Sequence, residues 1–212
     1  GKTYLGGIAG KASGNLNQVA SNGSIDLDSH TYLSTQAIQA DFYIGGIVGA
    51  SHEDSQLRII EATNNSTITG FSTASDIVLA SGHTAINVYI GGIIGYLKNT
   101  SVAIHDMVNV ENNGDINVMD VKERAEVQAY QYVGGVFGML EGLAPVLEDT
   151  LGEYRFANLY NGGTISATSS EDKAQIRSAG IGISNTSENT EYALLFNHGV
   201  FDFDLSLSEP EP

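Results

Sequence analysis

The chain has 212 residues, 25 acidic against 9 basic, no Cys, no Trp, 25 Gly and 3 Pro. A formal net charge of -16 argues against nucleic acid and anionic membrane surfaces as partners, because both are polyanions. The absence of Cys removes disulfides, thiol catalysis, Cys-ligated zinc and iron–sulfur clusters. The hydrophobic fraction of 42% is that of a chain that can bury a core.

The organisation of the chain is repetitive. The run Tyr4-Leu-Gly-Gly-Ile-Ala-Gly10 returns as Tyr43-Ile-Gly-Gly-Ile-Val-Gly49, Tyr89-Ile-Gly-Gly-Ile-Ile-Gly95 and Tyr132-Val-Gly-Gly-Val-Phe-Gly138. A degenerate fifth copy is Ser178-Ala-Gly-Ile-Gly-Ile183. Gly6, Gly45, Gly91 and Gly134 open the pairs, with Ala179 in their place in the fifth copy, at spacings of 39, 46, 43 and 45 residues. Gly7, Gly46, Gly92 and Gly135 follow, and Gly10, Gly49, Gly95 and Gly138 close the motif. Such periods mark solenoids or propellers.

Ahead of each motif lies a run of apolar and polar alternation, such as Ala37 to Phe42, Ala85 to Val88, Ala125 to Gln131 and Ala174 to Arg177. Period-2 alternation predicts a half-buried strand. Behind each motif comes an Asn-rich turn and then an apolar residue. Asn22, Asn65, Asn113 and Asn161, with Asn197, are read as one turn column that forms an inter-coil ladder. Asn and Gly tolerate the φ values a turn needs. The strand after the turn is expected to point Ile25, Ile68, Ile116, Ile165 and Phe201 inward. Asp26, Thr69, Asn117, Ser166 and Asp202 then point outward.

One unit is therefore strand, Gly motif, loop, Asn turn, strand and variable loop. The expected fold is all-β, a right-handed parallel β-helix of about five coils, with a β-propeller as the alternative. The repeat domain spans 1–207, with units at about 4–42, 43–88, 89–131, 132–177 and 178–207. Residues 208–212 read as an acidic Pro linker. The loops at 70–84 and 141–154 are expected to project from one rim. One helical turn has room between Glu141 and Glu153. No basic leader with an apolar core opens the sequence, and no apolar run approaches the roughly 18 residues of a membrane helix. Both ends predict a piece of a longer polypeptide.

The Gly motif resembles the GLUG-type repeat, named for a Gly-Leu-apolar-Gly core, with Ile or Val in place of Leu. The resemblance covers all five units, the last one poorly. It implies a β-solenoid in a secreted or surface-anchored bacterial protein, of adhesin type or from the non-catalytic part of a large peptidase. It brings no catalytic residue.

The search for chemistry returns little. His52-Glu53 begins a zinc-protease pattern, but Gln56 stands where the second His is needed. No nucleophile elbow or phosphate-binding Gly loop is present. Ser184 and Ser187 lie in a polar stretch. Nothing marks His30, His52, His83, His105 or His198 as a base for them. The carboxylate pairs Asp26/Asp28 and Asp202/Asp204 are the Ca²⁺ candidates, although they fall in the first and last units, about 19 Å apart at one strand spacing per coil. No other cofactor is expected. The repeated Tyr4, Tyr43, Tyr89 and Tyr132 predict a packed ladder, with a sugar-stacking stripe as the alternative.

The expected protein is not an enzyme. It is a monomeric repeat segment of an extracellular or cell-surface bacterial protein, serving as adhesin body, spacer or display scaffold. Its partner would be a host or matrix glycan or protein, with no nucleic acid and no membrane insertion. A carbohydrate-binding or lyase-like module and a peptidase accessory domain are the alternatives.

Overall fold

A computed structural model describes residues 2–27, 41–70, 85–119, 128–142, 155–169, 175–186 and 193–205. These residues form four sheets, and every strand pairing is parallel. The first sheet contains Lys2–Gly6, Asp41–Gly45, Ala85–Gly91, Gln128–Gly134 and Gln175–Ala179. The second contains Ala9–Ala12, Val48–Ser51, Ile94–Asn99, Phe137–Gly142 and Gly182–Thr186. The third contains Gly14–Asn17 and Ala20–Ser21, then Leu57–Asn64, Asp106–Asn112, Phe156–Asn161 and Ala193–Asn197. The fourth contains Ser24–Asp26, Thr67–Thr69, Ile116–Met119, Ile165–Ser169 and Phe201–Leu205. Neighbours in each sheet are one repeat apart, so the chain is a parallel β-solenoid of five coils. A propeller blade would pair consecutive strands antiparallel, and none of the described strands do so.

Each coil runs through four strands, two more than the sequence pattern predicted. The extra ones follow the Gly pair and precede the Asn turn. Their alternation is broken by small residues, as in Val48-Gly-Ala-Ser51, or by a bulge. The core is correspondingly split. Phe42, Ile44, Val88, Ile90 and Val133 of the first sheet pack against Ile68, Ile116, Val118 and Ile165 of the fourth. Ile94, Leu97, Phe137 and Leu140 of the second pack against Leu57, Ile59, Met107, Val110, Phe156 and Leu159 of the third. The inward column Ile25, Ile68, Ile116, Ile165 and Phe201 is in register, as is the outward column that begins at Asp26.

Between the two lobes the coil is pinched. The Gly-Gly bend of one wall meets the Asn bend of the other. A Cβ on Gly46, Gly92, Gly135 or Gly180 would overlap the side-chain amide of Asn64, Asn112, Asn161 or Asn197 respectively. On the first coil, Gly7 faces Ser21 in the same way. The first glycine of each pair has a different neighbour. A Cβ on Gly45, Gly91 or Gly134 would strike the carbonyl across the turn, at Val48, Ile94 or Phe137. The third glycines, Gly49, Gly95 and Gly138, back onto the first-sheet strand of the preceding coil at Leu5, Ile44 and Ile90. None of these glycines has a left-handed φ, which among the described glycines is found only at Gly14, Gly23 and Gly142. The motif is glycine for want of space.

The Asn column needs correction. It is two ladders, not one. The inner ladder is Asn64, Asn112, Asn161 and Asn197, in register in the third sheet. Asn64, Asn112 and Asn161 each donate from Nδ2 to Oδ1 of the Asn in the next coil at 2.8 Å. Each also donates to the carbonyl two residues on, for example Asn112 to Gly114 at 2.9 Å. Asn22, Asn65 and Asn113 form an outer, exposed ladder one residue further along, with bonds of 2.9 and 3.2 Å. Asn161 belongs to the inner ladder, and Gly162 occupies the outer position in its coil. The single column of Asn22, Asn65, Asn113, Asn161 and Asn197 is therefore off by one residue in the fourth and fifth units, where Asn161 and Asn197 are inner.

The third sheet carries one further column. Gln18, Glu61, Asn109, Asn158 and Leu194 all have φ between 52 and 55°, one per coil. The two large loops also leave from different edges rather than one rim. Residues 71–84 follow the fourth sheet, whereas 143–154 follow the second. The stretch read as a helical turn starts in a strand at Glu141 and Gly142, and the rest of it lies outside the described residues.

Candidate functional site

The outward faces of the first and second sheets converge on an aromatic cluster. Tyr4, Tyr43, Tyr89 and Tyr132 share one register position. Parallel strands hold equivalent side chains one strand spacing apart, and the rings stack at 5.0, 5.2 and 5.1 Å between centroids, within 13° of parallel. Tyr96 comes from the second sheet and sets its edge against Tyr43 at 5.2 Å and lies 5.1 Å from Tyr89. Its hydroxyl donates to Glu141. Asn87 donates to Asp41 at 3.1 Å beside the stack. Tyrosines and carboxylates thus share one face over three adjacent coils.

Ring geometry decides what this cluster can do. A sugar platform needs an open aromatic face. Both faces of Tyr43 and Tyr89 are covered by neighbouring rings. At the ends of the stack, Lys11 Nζ lies 5.3 Å from the Tyr4 ring, and the Arg177 guanidinium lies 5.7 Å from Tyr132. Only ring edges and hydroxyls remain for a ligand. Burial raises the phenol pKa of Tyr43, Tyr89 and Tyr96, and the neighbouring carboxylates Asp41 and Glu141 add to it. These hydroxyls stay protonated at neutral pH and are poor bases or nucleophiles.

A second polar cluster lies at the start of the third-sheet strands. Asp106 is buried between Arg58 and Arg155, its neighbours in the adjacent coils, at 2.9 and 2.5 Å. Gln56 donates to the same carboxylate at 2.9 Å. Beside it, His105 is fully buried. Its Nδ1 accepts from the Leu57 N–H and its Nε2 faces the Lys98 carbonyl, both at 3.0 Å, so the ring is the neutral Nε2–H tautomer. Burial pushes its pKa down to about 4, against a smaller opposing effect of the Lys98 carbonyl. Every one of these groups is engaged in packing one coil on another. No sequence signal marked them, because neither residue lies in a repeated motif.

Of the Ca²⁺ candidates, Asp26 and Asp202 occupy one outward column in the first and fifth coils, with Thr69, Asn117 and Ser166 between them. Four coil steps separate them, about 19 Å. Asp28 lies outside the described residues, and Asp204 is placed only as part of the strand Phe201–Leu205. Among the described residues no group of three or more His, Asp or Glu is placed to hold a metal ion. His52 and Ser184 are far apart in the fold, in the second and fifth coils, and His30, His83 and Ser187 lie outside the described residues. No family model, curated protein or solved structure matches the chain.

Proposed function

We propose that this chain is a non-catalytic scaffold, a β-solenoid segment of a bacterial surface or secreted protein that acts as adhesin body, spacer or display rod. One observation carries the scaffold reading. The residues that recur at every turn of the sequence are consumed by coil-to-coil packing. The Gly pair fits the Asn ladder, the tyrosines cover one another, and the Ile column fills a lobe. A repeat retained for chemistry would leave its recurrent polar groups open to a ligand. The bacterial, extracellular setting rests on the likeness of the Gly motif to GLUG-type repeats. Stacked coils give a stiff body, and segments of differing length between strands offer the variable surface.

A carbohydrate-binding module is the second reading. The tyrosines and carboxylates grouped over three coils favour it, and their covered ring faces weigh against it. A screen against arrayed glycans and matrix proteins, with Ca²⁺ and with chelator, separates the two. The scaffold reading expects any signal to vanish when 71–84 or 143–154 is replaced by a short Gly-Ser linker. A signal that survives both replacements and falls with Tyr96→Phe would instead place binding on the aromatic face and overturn the reading.

A further inference from the structure

In the middle of the tyrosine column two phenols are held one coil apart in a geometry suited to covalent joining. Tyr43 and Tyr89 are in register on parallel strands, and their rings stack at 5.2 Å, 11° from parallel. With the strands parallel and the rings nearly so, hydroxyl lies over hydroxyl and the ring carbons beside them lie over each other. Carboxylates stand next to the pair. Tyr43 donates to Asp41 at 3.4 Å. Tyr96 sets its ring against both rings and donates to Glu141. Burial keeps the phenols protonated, so an electron leaves one of them only together with a proton, and Asp41 and Glu141 are bases already in place. Tyr43 is 5% exposed. A radical formed there meets its column neighbour before it meets another molecule.

We propose that Tyr43 and Tyr89 form an oxidative cross-linking site, at which a diffusible one-electron oxidant joins the two rings as dityrosine and ties the second coil to the third. Two equivalents of oxidant are consumed. Each phenol gives one electron to the oxidant and its hydroxyl proton to a neighbouring carboxylate, from which it passes to water. A carbon–carbon bond then forms between the ring carbons ortho to the two oxygens. The hydrogen on each of these carbons leaves as a proton and each oxygen takes one back, which restores both aromatic rings. In sum the pair loses two electrons and two protons, and no atom is added. The bond would link residues 46 apart in a chain that has no cysteine. It would constrain the unfolded chain as a disulfide of that span does in a secreted protein. That use of the bond rests on the extracellular reading proposed above, whereas the chemistry of its formation does not.

Photo-oxidation of the full chain by a ruthenium trisbipyridyl complex with persulfate, at low protein concentration, tests this. Intact mass and peptide mapping read the result. The expected product is a monomer lighter by two hydrogen atoms, with dityrosine fluorescence and with the Tyr43 peptide joined to the Tyr89 peptide. Its urea midpoint should lie above that of the untreated chain. Tyr43→Phe keeps the ring stack and should abolish this linked pair. Tyr160→Phe, which lies outside the column against His198, should leave it intact. In strong urea, where the coils no longer stack, the same treatment should not favour the pair. Met139 is the built-in competitor, since it is in register with Tyr96 and its thioether takes up oxygen. Oxygen added at Met139 with the tyrosines unjoined, covalent dimers without the internal link, or a Tyr43–Tyr89 pair that forms equally well in urea would each overturn the proposal.

Discussion

At the scale of single residues, His105 carries a pH-dependent share of the stability. The unfolded chain takes up a proton near pH 6.5 and the folded chain near 4. Between those values unfolding binds a proton, so acid favours the unfolded state. The contribution is complete above about 6.5, declines as pH falls and levels off below about 4. It amounts to roughly 3 kcal/mol at most. Urea unfolding should show the midpoint falling between pH 7 and 5 in the native protein. His105→Leu should start less stable at pH 7 and lose less over that interval. Equal slopes would mean that another group sets the acid response. Glu61 makes the opposite kind of prediction. It holds a φ of 55°, which costs a non-glycine residue about 1 kcal/mol and costs Asn less. Asn already stands at the equivalent place in two coils, where Asn158 donates to Asn109 at 2.9 Å. Glu61→Asn should raise stability by about 0.5 kcal/mol, read as a higher urea midpoint with unchanged slope. Neither residue was legible in the sequence. His105 stands in no repeated pattern. The left-handed column uses Gln, Glu, Asn and Leu, so only backbone geometry reveals it.

At the scale of elements, parallel in-register strands make a column of like residues the unit of structure. That is why the Gly, Tyr and Ile columns could be read from spacing alone, and why their partners proved correct. It is also why the Asn column is one residue off in the fourth and fifth units. Two adjacent positions both favour Asn, one buried and one exposed, and sequence does not separate them. The strands after the Gly pair were hidden because the third glycine, which backs onto the preceding coil, interrupts their alternation straight after the first apolar residue, as in Ile94-Gly-Tyr-Leu97. A column can hold opposite charges as well. Arg58, Asp106 and Arg155 succeed one another through three coils, and the central carboxylate is 5% exposed. Asp106→Asn would leave two guanidiniums facing each other across a neutral amide. Because Arg58 is itself a third exposed, the loss should be about 2 kcal/mol rather than the larger figure for a fully buried pair. Thermal unfolding of Asp106→Asn checks this, and an unchanged midpoint would show that the column is electrostatically idle.

At the scale of the whole molecule, the waist explains why the two sequence motifs travel together. The Gly pair lets one wall approach, and the inner Asn ladder fills the space so gained while satisfying the polar groups of the opposite bend. Two apolar lobes then close on either side. This gives a body whose repeated residues face one another, and it is the basis for reading the chain as a scaffold. The last coil offers the cleanest place to test the pairing. There the nearest atoms to a Cβ on Gly180 all belong to Asn197, whereas inner coils add a carbonyl from the next turn. The decisive measurement is a double-mutant cycle in urea on Gly180→Ala and Asn197→Ala. Contact between the two predicts that Gly180→Ala is markedly less damaging once Asn197 is shortened, with a coupling of about 1–3 kcal/mol. Additive losses would show that the bends do not meet, and would contradict the account.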